Sequence, residues 1–141
     1  ILRYRTRDLT RLIYDKCECG RTAVRMDRIL GRSDDMMIIR GVNVFPSQIE
    51  TCLTEFPAFT AQYFITVDRK NNEDTFDLDV ELRSEYFSPN PSKQMPFIKP
   101  LYDRIVSMVG IKPNIHIKEP GQIQRSMGKA KHVNDKRNFK N

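Results

Sequence analysis

Residues 31–50 read GRSDDMMIIRGVNVFPSQIE, and few folds accommodate that order of signals. A short apolar run, Met36 to Arg40, stops at Gly41. Pro46-Ser47-Gln48-Ile49-Glu50 then opens a helix, because a proline at an early helical position lacks only an N–H that would have no intrahelical partner. Ile49, Leu53 and Phe56 follow on one face at helical spacing, and Pro57 ends the run. A strand leading through a glycine into an amphipathic helix points to an α+β domain.

The rest of the chain extends that pattern. Gln62 to Arg69 and Thr75 to Arg83 read as two strands joined by the polar turn Lys70 to Asp74. In the second, Phe76, Leu78, Val80 and Leu82 alternate with Asp77, Asp79 and Glu81, which predicts one buried and one wet face. After a loop at Ser88 to Pro91, a helix is expected over Phe97 to Val109. Its apolar face carries Ile98, Leu101, Ile105 and Met108, and Gly110 caps its end. Ile115 to Lys118 reads as the last strand, and the tail from Glu119 is polar. From Met36 onward the order is therefore that of a small ferredoxin-like (βαββαβ) domain. Upstream, two short strands within residues 2–14, a turn at Asp15 to Gly20 and a strand within Val24 to Leu30 form a separate β segment. The expected division is residues 1–33 for that segment and 34–141 for the domain.

A chain of 141 residues suits one modest core. Its composition, 39% hydrophobic and 30% charged, is that of a globular protein. No apolar run approaches the roughly 18 residues that span a bilayer, and the start Ile1-Leu2-Arg3-Tyr4-Arg5 has no signal-peptide pattern. Three cysteines make no disulfide framework, and reduced thiols imply a cytoplasmic protein. Cys17-Glu18-Cys19-Gly20 offers two thiolates on a tight turn. A zinc site needs two further ligands, and Cys52 and the two histidines do not stand at the right spacing; no metal site is expected from these residues alone. His116, within a strand, reads as structural.

The net charge of +6 is unevenly spread. Residues 1–40 hold ten basic and six acidic side chains, residues 41–117 seven and ten, and residues 118–141 seven and two. Basic ends suit nucleic acid, or a nucleotide triphosphate and other phosphate groups, or a solvated tail.

Three segments carry a resemblance. They are the stretch from Gly31 to Glu50, the heptad Tyr4-Arg5-Thr6-Arg7-Asp8-Leu9-Thr10, and Gly128-Lys129 within Gly121 to Lys131. Together they resemble adenylate-forming enzymes, closest to the phenylacetate–CoA ligase family. Arg7, where related groups have glycine, favours that branch. The resemblance implies that the chain is the C-terminal lid of a longer enzyme and is inactive alone. The parent would join ATP to a small aryl acid such as phenylacetate, form the acyl-adenylate, then pass the acyl group to CoA. AMP and pyrophosphate would leave, and Mg2+ would accompany ATP through ligands in the large N-terminal domain of the same parent chain.

The resemblance also assigns roles. Lys129 would be the catalytic lysine, set between carboxylate and α-phosphate, where an ammonium stabilises developing charge. Lys131 competes for that role, and His132 stands where the family often has a basic residue. Asp8 would accept hydrogen bonds from the two ribose hydroxyls, which suits a carboxylate's two oxygens. Arg32 would lie near the ribose or phosphate. Asp34 would be the hinge about which the lid turns between its two working orientations. Gly41, Val42 and Asn43 would line the pantetheine tunnel in the thioester-forming orientation.

Other readings remain at this point. The lid would look alike in an enzyme that adenylates a deazaflavin cofactor or loads a carrier protein. A non-catalytic RNA-binding module would need aromatic and basic residues on adjacent strands, and that signature is missing; neither nucleic acid nor a membrane is an expected partner. The β segment, without its packing partner, would show unpaired strand edges. It would then be loosely ordered or pair with a second copy of the chain.

Overall fold

The computed structural model describes residues 4–123 and 132–137. Its centre is a four-stranded mixed sheet with two helices on one face. Strand β7, Phe59–Lys70, and strand β8, Glu73–Leu82, form an antiparallel hairpin. Strand β9, Asn114–Lys118, lies parallel to β8, and strand β10, Val133–Asp135, lies parallel to β7. The sheet order is β10-β7-β8-β9.

Helix α1, Pro46–Thr54, starts as the sequence predicts. Gln48 turns back to accept the Phe45 N–H at 3.0 Å, and Ile49, Cys52 and Leu53 face the core. Helix α2 runs over Pro91–Val109, six residues longer at its start than expected. Pro96, directly before the expected start, hid this part, because an interior proline deletes an i→i−4 hydrogen bond and usually breaks a helix; Pro100 lies within the expected span. Here both prolines point to solvent, and Asn90 starts the helix by accepting the Ser92 N–H at 3.0 Å. Gly110, at φ +81°, ends it in the left-handed conformation.

The core joins Ile65, Val67, Phe76, Leu78 and Val80 of the sheet to Ile49 and Leu53 of α1 and Leu101 and Ile105 of α2. Burial of this alternating face is the main force that orders the layer. Cys52 lies inside it, and burial pushes its thiol up. Among the described residues no helix is long and apolar enough to cross a membrane.

The sheet departs from the ferredoxin-like order. The first expected strand, here β5 (Met37–Ile39), pairs with β6 (Val42–Val44) in a separate hairpin. Arg40 and Gly41, at φ +49° and +78°, make its two-residue turn, the pattern of a type I′ hairpin. Residues 41–45 were expected as a loop, yet a turn this tight returns the chain at once into a second strand. The place beside β7 is taken instead by β10, from a tail that carries little strand signal. Ile65 N–H donates to the His132 carbonyl at 2.7 Å and Lys136 N–H to the Val67 carbonyl at 2.8 Å, so the pairing is closed at both ends. Glu81, expected on the wet face, is 1% exposed. It shares a hollow with Pro120 and Gly121, where the chain crosses that end of the sheet.

Upstream, β1 (Asp8–Leu9) pairs antiparallel with β4 (Gly31–Arg32), and β2 (Leu12–Ile13) with β3 (Arg25–Met26). Hydrogen bonds from Asp27 N–H to the Arg11 carbonyl and from Leu30 N–H to the Leu9 carbonyl join these pairs into one irregular hairpin. None of its described side chains enters the core, and Leu12, Tyr14, Val24, Met26, Ile29 and Leu30 are exposed. It touches the lid where Ser47 Oγ donates to the Leu30 carbonyl at 3.0 Å. A methyl group on Gly31 would lie 3.1 Å from that same Oγ, so a side chain here would push the Ser47 hydroxyl aside.

Asp74 was expected in the β7–β8 turn. The turn closes instead over Asn71 and Asn72, both at positive φ, and puts Asp74 into β8 as a buried acid. Its carboxylate accepts from Arg69 Nε at 2.8 Å, the Arg40 backbone N–H at 3.1 Å and Arg137 Nη1 at 3.0 Å. Arg137 also donates to the Ile38 carbonyl at 2.5 Å and to Asp135. These donors hold the Asp74 carboxyl down at about 2, from 3.8, with Arg69 the largest contributor. Two tests follow from this node. Arg137→Ala should lower unfolding stability by about 3 kcal/mol in denaturant melts, the order expected when one member of a buried ion pair is removed. A carboxyl depressed in the folded state adds stability above its unfolded value and loses it as the pH falls through the folded value. Wild type should therefore keep this contribution above pH ~4 and lose it toward pH ~2. Asp74→Asn should be less stable at neutral pH and show a shallower fall across that window.

Candidate functional site

The β1–β4 pairing sets Asp8 directly opposite Arg32. Their side chains approach to 4.0 Å. Arg32 makes a two-pronged contact with Asp34, Nε to Oδ1 at 3.0 Å and Nη2 to Oδ2 at 2.8 Å, and Asp35 lies 3.8 Å away. Arg7, at φ +67°, adds a contact to Asp34 at 3.6 Å. The guanidinium of Arg32, first among these causes, holds the Asp34 carboxyl down at about 2. Both carboxylates in turn push Arg32 further up, so its charge is permanent. Three residues picked from the sequence, Asp8, Arg32 and Asp34, therefore form one connected charge cluster.

Asp8 and Arg32 face a groove of about 390 Å³ between the upstream hairpin and the lid. Its lid wall is Phe45, Pro46, Ser47, Glu50, Tyr63 and His132. Arg32 is bound to Asp34 on one side, which leaves it oriented toward Asp8 on the other. A groove with a fixed guanidinium opposite a carboxylate can hold a ligand that is both hydroxylated and anionic.

Gly41, Val42 and Asn43 do not line this groove. They sit at the turn and on the outer strand of the β5–β6 hairpin, all exposed, next to exposed Ile38. Gly41 stands at φ +78°, where glycine is favoured, and among the described residues nothing lies within 4 Å of an added Cβ. Lys129 and its rival Lys131 lie outside the described residues.

Sequence reasoning missed the Tyr63–His132 pair. The rings stack with centroids 4.3 Å apart and planes 9° apart, and His132 Nδ1 lies 3.0 Å from the Tyr63 carbonyl oxygen. No periodicity signals a contact between residues so far apart in sequence; the parallel pairing of β10 with β7 creates it. The other histidine, His116, contacts Asp77 at 3.3 Å on the open face of the sheet. At the tip of the upstream hairpin the Cys17 and Cys19 sulfurs lie 2.9 Å apart, and that contact lowers the Cys17 thiol. Among the described residues no three His, Cys, Asp or Glu side chains gather as a metal site.

Known proteins resemble this chain along nearly its whole length. Residues 41–137 match the family described as AMP-binding enzyme C-terminal domain. The phenylacetate-coenzyme A ligase of Escherichia coli (strain K12) is 46% identical over 139 residues, 99% of this chain and 31% of that protein. The chain thus spans about a third of the length of the curated relatives it matches. The crystal structure of 2-hydroxyisobutyryl-CoA ligase in the postadenylation state with 2-HIB-AMP matches with a TM-score of 0.78 at 30% identity, over 94% of this chain and 28% of that one. The same ligase with 2-HIB-AMP and CoA in the thioesterification state matches with 0.67, over 92% of this chain and 27% of that one. A domain of phenylacetate-coenzyme A ligase from Bacteroides vulgatus ATCC 8482 matches with 0.67 at 28% identity, over 75% of this chain and 96% of that domain. Since the family match takes in both helices, the whole four-stranded sheet and the Asp74–Arg137 pair, this chain belongs to the AMP-binding enzyme C-terminal domain family.

Proposed function

We propose that this chain is the C-terminal lid of an ATP-dependent acid–CoA ligase acting on a small aryl acid, phenylacetate first among them. The observation that carries this reading is 46% identity along 99% of the chain to a phenylacetate-coenzyme A ligase. The Asp8–Arg32 pair at the mouth of the groove supports it, since its chemistry suits a ribose beside a phosphate. The lid would work with the large N-terminal domain of the same parent chain, which would supply the acid pocket.

In the first half-reaction the acid's carboxylate oxygen attacks the α-phosphorus of ATP, and the bond to pyrophosphate breaks. Asp8 would hold the ribose hydroxyls, and Arg32 would orient the nucleotide. Lys129 would bridge the acid and the α-phosphate. Magnesium would arrive with ATP, through ligands that the resemblance places in the large domain. In the second half-reaction the CoA thiol attacks the acyl carbon, and AMP leaves. Gly41, Val42 and Asn43 would then face the pantetheine arm after the lid has turned about Asp34. The better match to the postadenylation than to the thioesterification state of 2-hydroxyisobutyryl-CoA ligase is consistent with a chain held in the first orientation.

The exposed apolar side chains of the upstream hairpin fit a segment that packs on the large domain. Cut free, residues 1–33 would bring two copies together. The 141-residue chain should sediment as a dimer and a chain starting at Asp34 as a monomer; a monomer in both cases would remove the pairing idea.

The central test uses the full-length parent enzyme. ATP–pyrophosphate exchange should require phenylacetate or a close aryl acid, and Lys129→Ala should cut it about 10²- to 10³-fold, the range typical for loss of one charge-stabilising group. Exchange that survives that substitution passes the role to Lys131. Wild type that exchanges with no aryl acid would direct the search to the other adenylating reactions.

A further inference from the structure

His132 is held in a way that its place in the strand alone does not require. Its Nδ1 faces the Tyr63 carbonyl oxygen at 3.0 Å. A carbonyl oxygen only accepts, so Nδ1 carries the proton and Nε2 keeps the free lone pair. No described residue takes a hydrogen bond from Nε2 or gives one to it. Turning the ring over in its own plane would keep its stack on Tyr63 but lose that bond, so the bond fixes which nitrogen faces Tyr63.

Tyr63 is itself fixed. It is 2% exposed, and its hydroxyl donates to the Pro46 carbonyl at 3.2 Å. Burial first, then the charges of Glu50 and Asp35, push its phenol well above the ordinary value, so it stays a neutral donor. The histidine thus stands on a rigid support with one nitrogen committed and the other without a partner among the described residues.

The charges around the groove give that second nitrogen a purpose. Among the described residues, the lining has three acids, Asp8, Asp35 and Glu50, and one permanent cation, Arg32. Arg32 is already engaged by Asp34. Among the described residues that line the groove, His132 is the other side chain that can take a positive charge.

We propose that His132 contacts the nucleotide phosphate during adenylation. An arriving phosphate oxygen can only accept, so Nε2 meets it in the protonated state. The imidazolium then stabilises charge on the α-phosphate while the acid oxygen bonds to phosphorus and pyrophosphate leaves with the bonding pair. His132 keeps its proton throughout. This inference rests on the acid–CoA ligase reading and adds a further cation, beside Arg32 and Lys129, to the same half-reaction.

The test is His132→Asn in the full-length parent, with His132→Phe beside it. Asparagine can still donate to the Tyr63 carbonyl but has nothing in the place of Nε2. Phenylalanine keeps the stack and has neither nitrogen. Both variants should lose ATP–pyrophosphate exchange by about 10- to 100-fold, the factor for losing a hydrogen bond to a charged group. Both should make thioester from supplied acyl-adenylate and CoA at the wild-type rate. Exchange at the wild-type rate in His132→Asn overturns the proposal and leaves the ligase reading intact. An equal fall in both half-reactions overturns it too, since a structural role would give that result. Wild type without exchange removes the ligase reading, and this proposal with it.

Discussion

The Asp74 carboxylate is the point on which the fold's separate pieces depend. Its donors come from three parts of the chain: Arg40 in the turn of the β5–β6 hairpin, Arg69 at the end of β7, and Arg137 just beyond β10. Neither the small hairpin nor the three-residue edge strand buries enough apolar surface to hold itself in place. A buried carboxylate must find partners, because leaving it unpaired is far more costly than exposing it. The need to satisfy one charge therefore gathers two weak elements around the end of the strong β7–β8 hairpin. Arg137 adds a second contact to the Ile38 carbonyl, which ties the edge strand to the hairpin directly.

A second charge cluster, around Arg32, has a different character. Its members are solvent-facing, and Arg32 chelates Asp34 across a two-residue gap. Exposed pairs of this kind contribute little to stability. They can be broken and re-formed at small cost, as the proposed hinge at Asp34 would require. The contrast is physical: the buried cluster locks the lid's own parts together, and the exposed one orients side chains at the boundary with the upstream hairpin.

Much of this was legible in the sequence. The alternation from Phe76 to Leu82 gave the central strand, and Pro46 with Ile49 and Leu53 gave α1. Asp8, Arg32 and Asp34 could be picked out by resemblance alone, and they do stand together. The misses share a cause. Pro96 and Pro100 argue against a helix locally, and only the packing of Leu101, Ile105 and Val109 together with the Asn90 cap reveals why one persists. β10 has three residues and no alternation, so its existence depends on the open edge of β7. Asp74 looks like one more polar turn residue until the Asn71–Asn72 turn is seen to close ahead of it. The Tyr63–His132 stack follows from β10 and was hidden with it. Local patterns were readable; features that depend on two distant segments meeting were not.

The parallel edge strand has a further consequence, for how the domain opens. The β7–β8 hairpin closes over two residues, whereas Val133 reaches Ile65 across 68 positions. Contacts between segments so distant in sequence form slowly, since a long loop must be closed before any bond rewards it. A short edge strand is also where native-state fluctuations begin. His132 sits at the head of that strand, so a partial opening that leaves the core untouched would carry the imidazole away from Tyr63. The groove's lid wall and the sheet's weakest seam are the same piece of backbone, and amide exchange at Ile65 and Val67 would report on both at once.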